Sequence, residues 1–140
     1  MQILCAILIQ MTASHIRIGQ IGEQAVVNHL KRRDYILRGS NYRKKWGEID
    51  VIVEKMGIIH FVEVKTISYK IRSPHVSYET WLPEENVSQR KLQKLFRTIE
   101  TWLLECHYDG EWQLDVASVW IDEKQRCGRI KIIENIVAGA

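Results

Sequence analysis

The chain has 140 residues, 46% of them hydrophobic and 26% charged. A chain of this size buries roughly two-thirds of its unfolded surface as one soluble domain, without needing disulfides or a structural metal. Three scattered cysteines, Cys5, Cys106 and Cys127, fit no disulfide framework and no zinc spacing, and they read as reduced thiols in a cytosol. A net charge of +3 is compatible with a nucleic-acid partner and does not establish one.

Met1 to Met11 is apolar but far too short to span a bilayer, and no basic residue precedes it. Residues 1–13 therefore read as an N-terminal extension, a short strand or a translation-start extension, ahead of a single domain over residues 14–140. No membrane partner is expected. Ser14 to Arg33 carries Ile18, Ile21, Ala25, Val26 and Leu30 at helical spacing with no proline, and its basic end suits the helix dipole. Tyr35 to Leu37 reads as a short strand leading into a basic loop, Asn41 to Trp46. Gly47 to Glu54 and Ile58 to Thr66 are rich in Ile and Val and form two strands around a tight turn at Gly57.

From Ile67 to Glu85 the pattern is irregular, with both prolines and an aromatic piece, Val76 to Trp81; a binding loop and an ordinary insertion look alike here. Val87 to Glu105 is a second helix, amphipathic through Leu92, Leu95, Phe96, Ile99, Trp102 and Leu103. Trp112 to Ile121 and Ile130 to Ile136 are strands. The expectation is an α/β domain with helices flanking a mixed central sheet, in the order αβββαβ.

The central hairpin carries the chemistry: Gly47-Glu48-Ile49-Asp50, then Phe61-Val62-Glu63-Val64-Lys65. Strand side chains alternate, so Glu63 and Lys65 share one face and Val62 and Val64 the other. A two-residue turn at Met56-Gly57 pairs positions whose numbers sum to 113, which sets Asp50 opposite Glu63. The same register puts Ile49 and Val51 on the face of Val62 and Val64. Opposed carboxylates about 5 Å apart repel unless a cation lies between them. Mg²⁺ or Mn²⁺, which take oxygen ligands, would bridge them, and Lys65 beside the metal would orient a water or hold charge on a phosphate. The competing reading is a solvated edge with a cross-strand salt bridge. Phe61, Ile52 and Ile59 on the charged face weigh against full solvation. Glu23 shares a helical stripe with Gly19, Val26, Val27 and Leu30, so it is either a partly exposed helix acid or a carboxylate held by a metal-bound water.

Gly19-x-x-Gly22-Glu23, Asn41-x-Arg43, Gly47-Glu48-Ile49-Asp50 and Phe61-Val62-Glu63-Val64-Lys65-Thr66 resemble the YraN-like family of small bacterial proteins. Lys91 in the second helix and Asp115-Val116 in the following strand also fit. The resemblance covers about Ile16 to Asn135 and implies a restriction-endonuclease-like fold of the PD-(D/E)XK nuclease superfamily, related to Holliday-junction resolvases. On that resemblance Asp50 and Glu63 are metal-binding acids, Lys65 is the catalytic lysine, Glu23 is a helix-borne acid acting through water, and the Val64 carbonyl completes the metal ligands.

Basic residues flank these positions: Arg43, Lys44 and Lys45 before Gly47, Lys70 and Arg72 after Lys65, and Arg90, Lys91, Lys94 and Arg97 on the polar side of the second helix. They would contact phosphates, or they are the charged face any surface helix carries. Trp46, Tyr42 and Tyr69 would stack on unpaired bases or pack locally. The histidines show no metal spacing. The expectation is a cytoplasmic Mg²⁺-dependent endonuclease acting on DNA ahead of RNA, on branched or structured DNA, for which a homodimer would suit symmetric cuts. The alternative is a non-catalytic nucleic-acid-binding module acting through protein partners.

Overall fold

The computed structural model describes residues 2–4, 15–69, 89–123 and 127–139. In chain order these form β1 (Gln2–Leu4), α1 (His15–Lys31), β2 (Ile36–Lys44), β3 (Gly47–Lys55), β4 (Ile58–Tyr69), α2 (Gln89–Glu105), β5 (Trp112–Asp122) and β6 (Cys127–Gly139). The strands make one mixed sheet in the order β1-β6-β5-β4-β3-β2, five long strands with the three-residue β1 at one edge. Among the described strands only β4 and β5 are parallel, a pairing that requires a crossover, and α2 lies in it. The expected αβββαβ order is present with a further strand at each end, and among the described residues no helix is long and apolar enough to cross a membrane.

The alternation of Ile and Val in the hairpin puts a helix on each face. Val51, Val53 and Val62 pack with Ala25, Val26 and Leu30 of α1, together with Val119 and Ile121 of β5. Their neighbours Ile52, Ile59 and Phe61 pack with Leu95, Ile99 and Trp102 of α2. Phe61 is fully buried, with the rings of Trp102 and Trp112 edge-on at 5.3 and 5.8 Å. Truncating such a ring costs about 3–5 kcal/mol, so this side chain is the chief anchor of α2.

The hairpin register follows the expectation: Val51 pairs with Val62 and Lys55 with Ile58 across a turn in which Met56 and Gly57 both have positive φ, the twist a two-residue hairpin favours. Two expectations are corrected. Asn41 to Trp46 is not a loop, because β2 stays paired with β3 as far as Arg43–Glu48 and Lys44–Gly47, leaving only Lys45 and Trp46 to turn. Ile49 packs with the α2 cluster rather than beside Val51, so the strict alternation fails at Asp50. The stretch from Val76 to Trp81, both prolines, and the first residues assigned to the second helix, Val87 and Ser88, lie outside the described residues.

Candidate active site at the β3–β4 fork

β3 and β4 pair from Val51–Val62 to Lys55–Ile58 and no further toward Asp50, while β4 continues along β5 to Tyr69. The β2–β3 tip therefore peels away from β4, and the fork between them holds the acids. Its tip is pressed onto α2: a Cβ on Gly47 would meet Thr98 Oγ1 at 2.3 Å and the Lys94 carbonyl at 3.0 Å, which only glycine avoids. A Cβ on Gly22 would meet Thr66 Oγ1 at 1.9 Å, so that motif glycine sets the close approach of α1 to β4. Both motif glycines are thus explained by packing around the fork.

Where the ladder stops, the Asp50 carboxylate replaces a backbone acceptor: its Oδ2 accepts the Val64 N–H at 2.8 Å. Burial, then the neighbouring Glu63 charge, push the Asp50 carboxyl up to about 8, and a hydrogen bond links it to the Glu63 side chain. The two acids expected to face each other do meet, and burial together with the Glu63 charge disfavours a second ionised carboxyl at Asp50. Glu63 is buried at 6% exposure, and its Oε1 receives two ammonium groups, Lys91 at 2.6 Å and Lys65 at 3.2 Å. Burial and the adjacent Lys91 hold the Lys65 ammonium below its ordinary range. For Lys91, burial is the largest single influence and opposes the charge, but the hydrogen bonds to Glu63 and Lys65 and the nearby Glu63 and Asp50 charges together outweigh it, and the net displacement is upward.

Glu23 stands on the α1 side, lining a cavity with Gly19, Val64 and Thr66. Its carboxyl is raised by burial and by the Glu48 charge, with Glu63 also contributing, while Asn41 donates a hydrogen bond that lowers it. Asn41, whose φ is 51°, thus links the Asn41-x-Arg43 motif to this acid. Asp50, Glu63, Lys65 and Glu23 therefore converge on one fork, with Glu23 entering from the opposite face of the sheet. Asp50, Glu63 and the Val64 carbonyl are hard oxygen donors of the kind Mg²⁺ and Mn²⁺ take, and a buried acid pair that keeps a proton suits replacement of that proton by a cation.

Toward α2 the fork opens into a cavity of about 550 Å³ lined by Asp50, Glu63, Lys91 and Arg90. A neighbouring cavity of about 630 Å³, sharing Gly47, Glu48, Arg90 and Lys94 with the first, carries Lys45, Trp46 and Arg97. The expected basic residues divide accordingly. Lys45, Arg90 and Lys94 line the cavities without an ion pair among the described residues. Arg43 pairs with Glu48 at 3.2 Å and Lys44 with Glu105 at 2.5 Å. Lys70 and Arg72 lie outside the described residues.

Lys91 is corrected: it belongs to the inner stripe of α2 with Leu95, Thr98 and Trp102, not to its polar side, which is why it reaches Glu63. The spacing 91, 95, 98, 102 was the signal that could have found it. Tyr42 packs locally and donates to Glu105 at 2.7 Å. Trp46 carries the Arg97 guanidinium 4.5 Å from its ring centre.

A second polar cluster, missed in sequence, joins His60, Asp115 and Glu134. Asp115 is 2% exposed and already engaged by three partners: Oδ2 meets His60 Nδ1 at 2.7 Å, and Oδ1 accepts from Gln113 Nε2 and the Asn135 N–H at 2.8 Å each. Asn135 has a φ of 59°, and the β5–β6 register shifts between Leu114 and Val116. Asp115 therefore fastens an irregular stretch of the sheet.

A family model described as "Uncharacterised protein family UPF0102" matches residues 22–134. The chain is similar to a UPF0102 protein of Campylobacter lari, at 32% identity over 126 residues, covering 90% of this chain and 98% of the relative. A UPF0102 protein of Clostridium botulinum is 31% identical over 120 residues, covering 84% and 91%. One from Campylobacter fetus is 30% identical over 115 residues, covering 82% and 88%. The match runs from Gly22 through the fork, α2 and Asp115, the same segments that carry the YraN-like motifs, and the chain belongs to the uncharacterised protein family UPF0102.

Proposed function

We propose that this protein is a divalent-cation-dependent nuclease of the PD-(D/E)XK class that hydrolyses phosphodiester bonds in DNA. The observation that carries the reading is the buried acid pair at the fork, Asp50 joined to Glu63 by a side-chain hydrogen bond, with Lys65 two positions along β4 and paired with Glu63. Asp50, Glu63 and the Val64 carbonyl would hold Mg²⁺ or Mn²⁺, and Glu23 would act through water from the α1 side. When bound, the cation supplies a Lewis acid and a water of lowered pKa. Lys65, whose ammonium is already below its ordinary range, orients that water or offsets charge on the phosphate. Lys45, Arg90 and Lys94, without an ion pair among the described residues, line the two neighbouring cavities and receive the flanking phosphates.

The order αβββαβ with both acids on the central hairpin is consistent with a restriction-endonuclease-like core. Branched or structured DNA is the proposed substrate. A second reading rests on one observation, the full compensation of Glu63 by two lysines, which would serve equally well in a non-catalytic nucleic-acid-binding module.

Labelled single-stranded, duplex and branched DNA incubated with Mg²⁺ or Mn²⁺ separates the two. The nuclease reading expects cleavage that Asp50→Asn and Glu63→Gln each abolish while DNA binding persists. Binding without cleavage on every substrate, lost in Arg90→Ala and Lys94→Ala and kept in the acid variants, would favour the module instead.

A further inference from the structure

Glu63 is held by two lysines that differ in where they come from. Lys65 stands two positions along the same strand and shares the face of Glu63. Lys91 reaches in from the first turn of α2, with 36% of its side chain exposed against 26% for Lys65. Arg90 and Lys94 of the same helix line the same cavity and have no acidic partner among the described residues.

We propose, resting on the metal-dependent reading above, that Lys91 is an exchangeable counter-ion: it occupies Glu63 until a divalent cation arrives, then moves onto a substrate phosphate. A cation would take the Glu63 carboxylate, and Lys91 sits on its Oε1 at 2.6 Å, the shorter of its two ion pairs. A divalent cation placed there would lie within a few ångströms of the ammonium and repel it. The open side of the lysine is the cavity it shares with Arg90 and Lys94, where an anionic backbone would lie.

The exchange couples two ligands. A cation that binds alone must displace Lys91 with no partner waiting, whereas a phosphate in the cavity offers the ammonium a new partner and frees Glu63. Each ligand therefore favours the other, reciprocally and by the same factor. The cation site fills in response to substrate rather than idling loaded. Lys91 acts here first on Glu63 and then on the substrate phosphate, and its role shows in binding before any bond is broken.

Mn²⁺ binding is measured by calorimetry on the full chain, with and without a short phosphorothioate-linked DNA duplex that resists cleavage. In the wild type the duplex is expected to tighten Mn²⁺ binding roughly fivefold or more, in the usual range for coupled sites. Lys91→Met keeps the stem and removes the charge. It is expected to bind Mn²⁺ more tightly than wild type without DNA, by roughly the same factor, and to gain little from the duplex. Lys91→Arg keeps the charge and should keep the coupling; Lys91→Gln repeats the test if the Met variant folds poorly. Lys94→Met should weaken duplex binding while leaving Mn²⁺ binding alone at the wild-type level.

Mn²⁺ binding that depends on Glu63 but is equal or weaker in both Lys91→Met and Lys91→Gln overturns the exchange and leaves the metal site standing. Absence of Mn²⁺ binding in the wild type, with and without the duplex, overturns the metal site and the exchange together.

Discussion

Replacing Asp50 by Asn removes the one carboxyl in the fork that the fold holds far above its ordinary range while preserving its shape. The Asn side-chain oxygen can still accept the Val64 N–H that Asp50 accepts at 2.8 Å. A carboxyl that titrates near 3.8 when unfolded and near 8 when folded gives a defined sign. Its contribution to stability is fully present below the unfolded value and is lost as the pH rises through the folded one. Each pH unit between them changes stability by up to about 1.4 kcal/mol. Burial and the Glu63 charge are the largest causes, and both relax as the fork takes up water, so we expect about 2–4 kcal/mol lost between pH 5 and pH 8.5 rather than the full product. Urea denaturation in EDTA at several pH values measures this directly. Asp50→Asn should gain on the wild type by about 2–4 kcal/mol between pH 5 and pH 8.5. Parallel curves for the two proteins across that range would refute the protonated acid pair.

The same proton governs the cation. Mg²⁺ binding should release close to one proton and tighten about tenfold per pH unit up to the pH where Asp50 ionises, read by calorimetry in buffers of different ionisation enthalpy. Gly22→Ala places a methyl 1.9 Å from Thr66 Oγ1, so it should destabilise by about 1–3 kcal/mol, with partial recovery when Thr66→Ala is added; thermal unfolding would show it. Asp115→Ala leaves the Asn135 N–H and the buried His60 without an acceptor and should cost about 2–4 kcal/mol in urea unfolding, with nucleic-acid affinity unchanged in the remaining folded protein. Arg90→Ala and Lys94→Ala should each flatten the salt dependence of DNA binding, by about 0.9 in the log–log slope for every phosphate contact removed.

The parts of the fold that rest on period and turn chemistry were legible in the chain. Ile and Val alternation with a two-residue turn at Met56-Gly57 set the hairpin register as far as Val51–Val62, and Asp50 meets Glu63 just beyond it, where the ladder stops. Helical spacing gave α1 and α2 to within a few residues of their observed ends. What failed was non-local. Nothing within Asn41–Lys44 announces a strand, because its pairing comes from β3, and its polar side chains suit a half-exposed edge as well as a loop. Ile49 left its expected face because the fork opens there and α2 takes it. Lys91 looked like one more cation on a polar face, although its spacing to Leu95 and Trp102 already put it on the buried stripe. The His60–Asp115 pair spans 55 residues, beyond any local pattern.

The central claim is that Asp50 and Glu63 form a divalent-cation site, and thermal unfolding with increasing Mn²⁺ on wild type and Asp50→Asn, each with and without short DNA, tests it most directly. A ligand that binds only the folded state raises stability with the logarithm of its concentration. The wild type should rise with Mn²⁺, more steeply with DNA present, and Asp50→Asn should not rise in either series. An equal rise in both proteins, or none in the wild type even with DNA, would contradict the site.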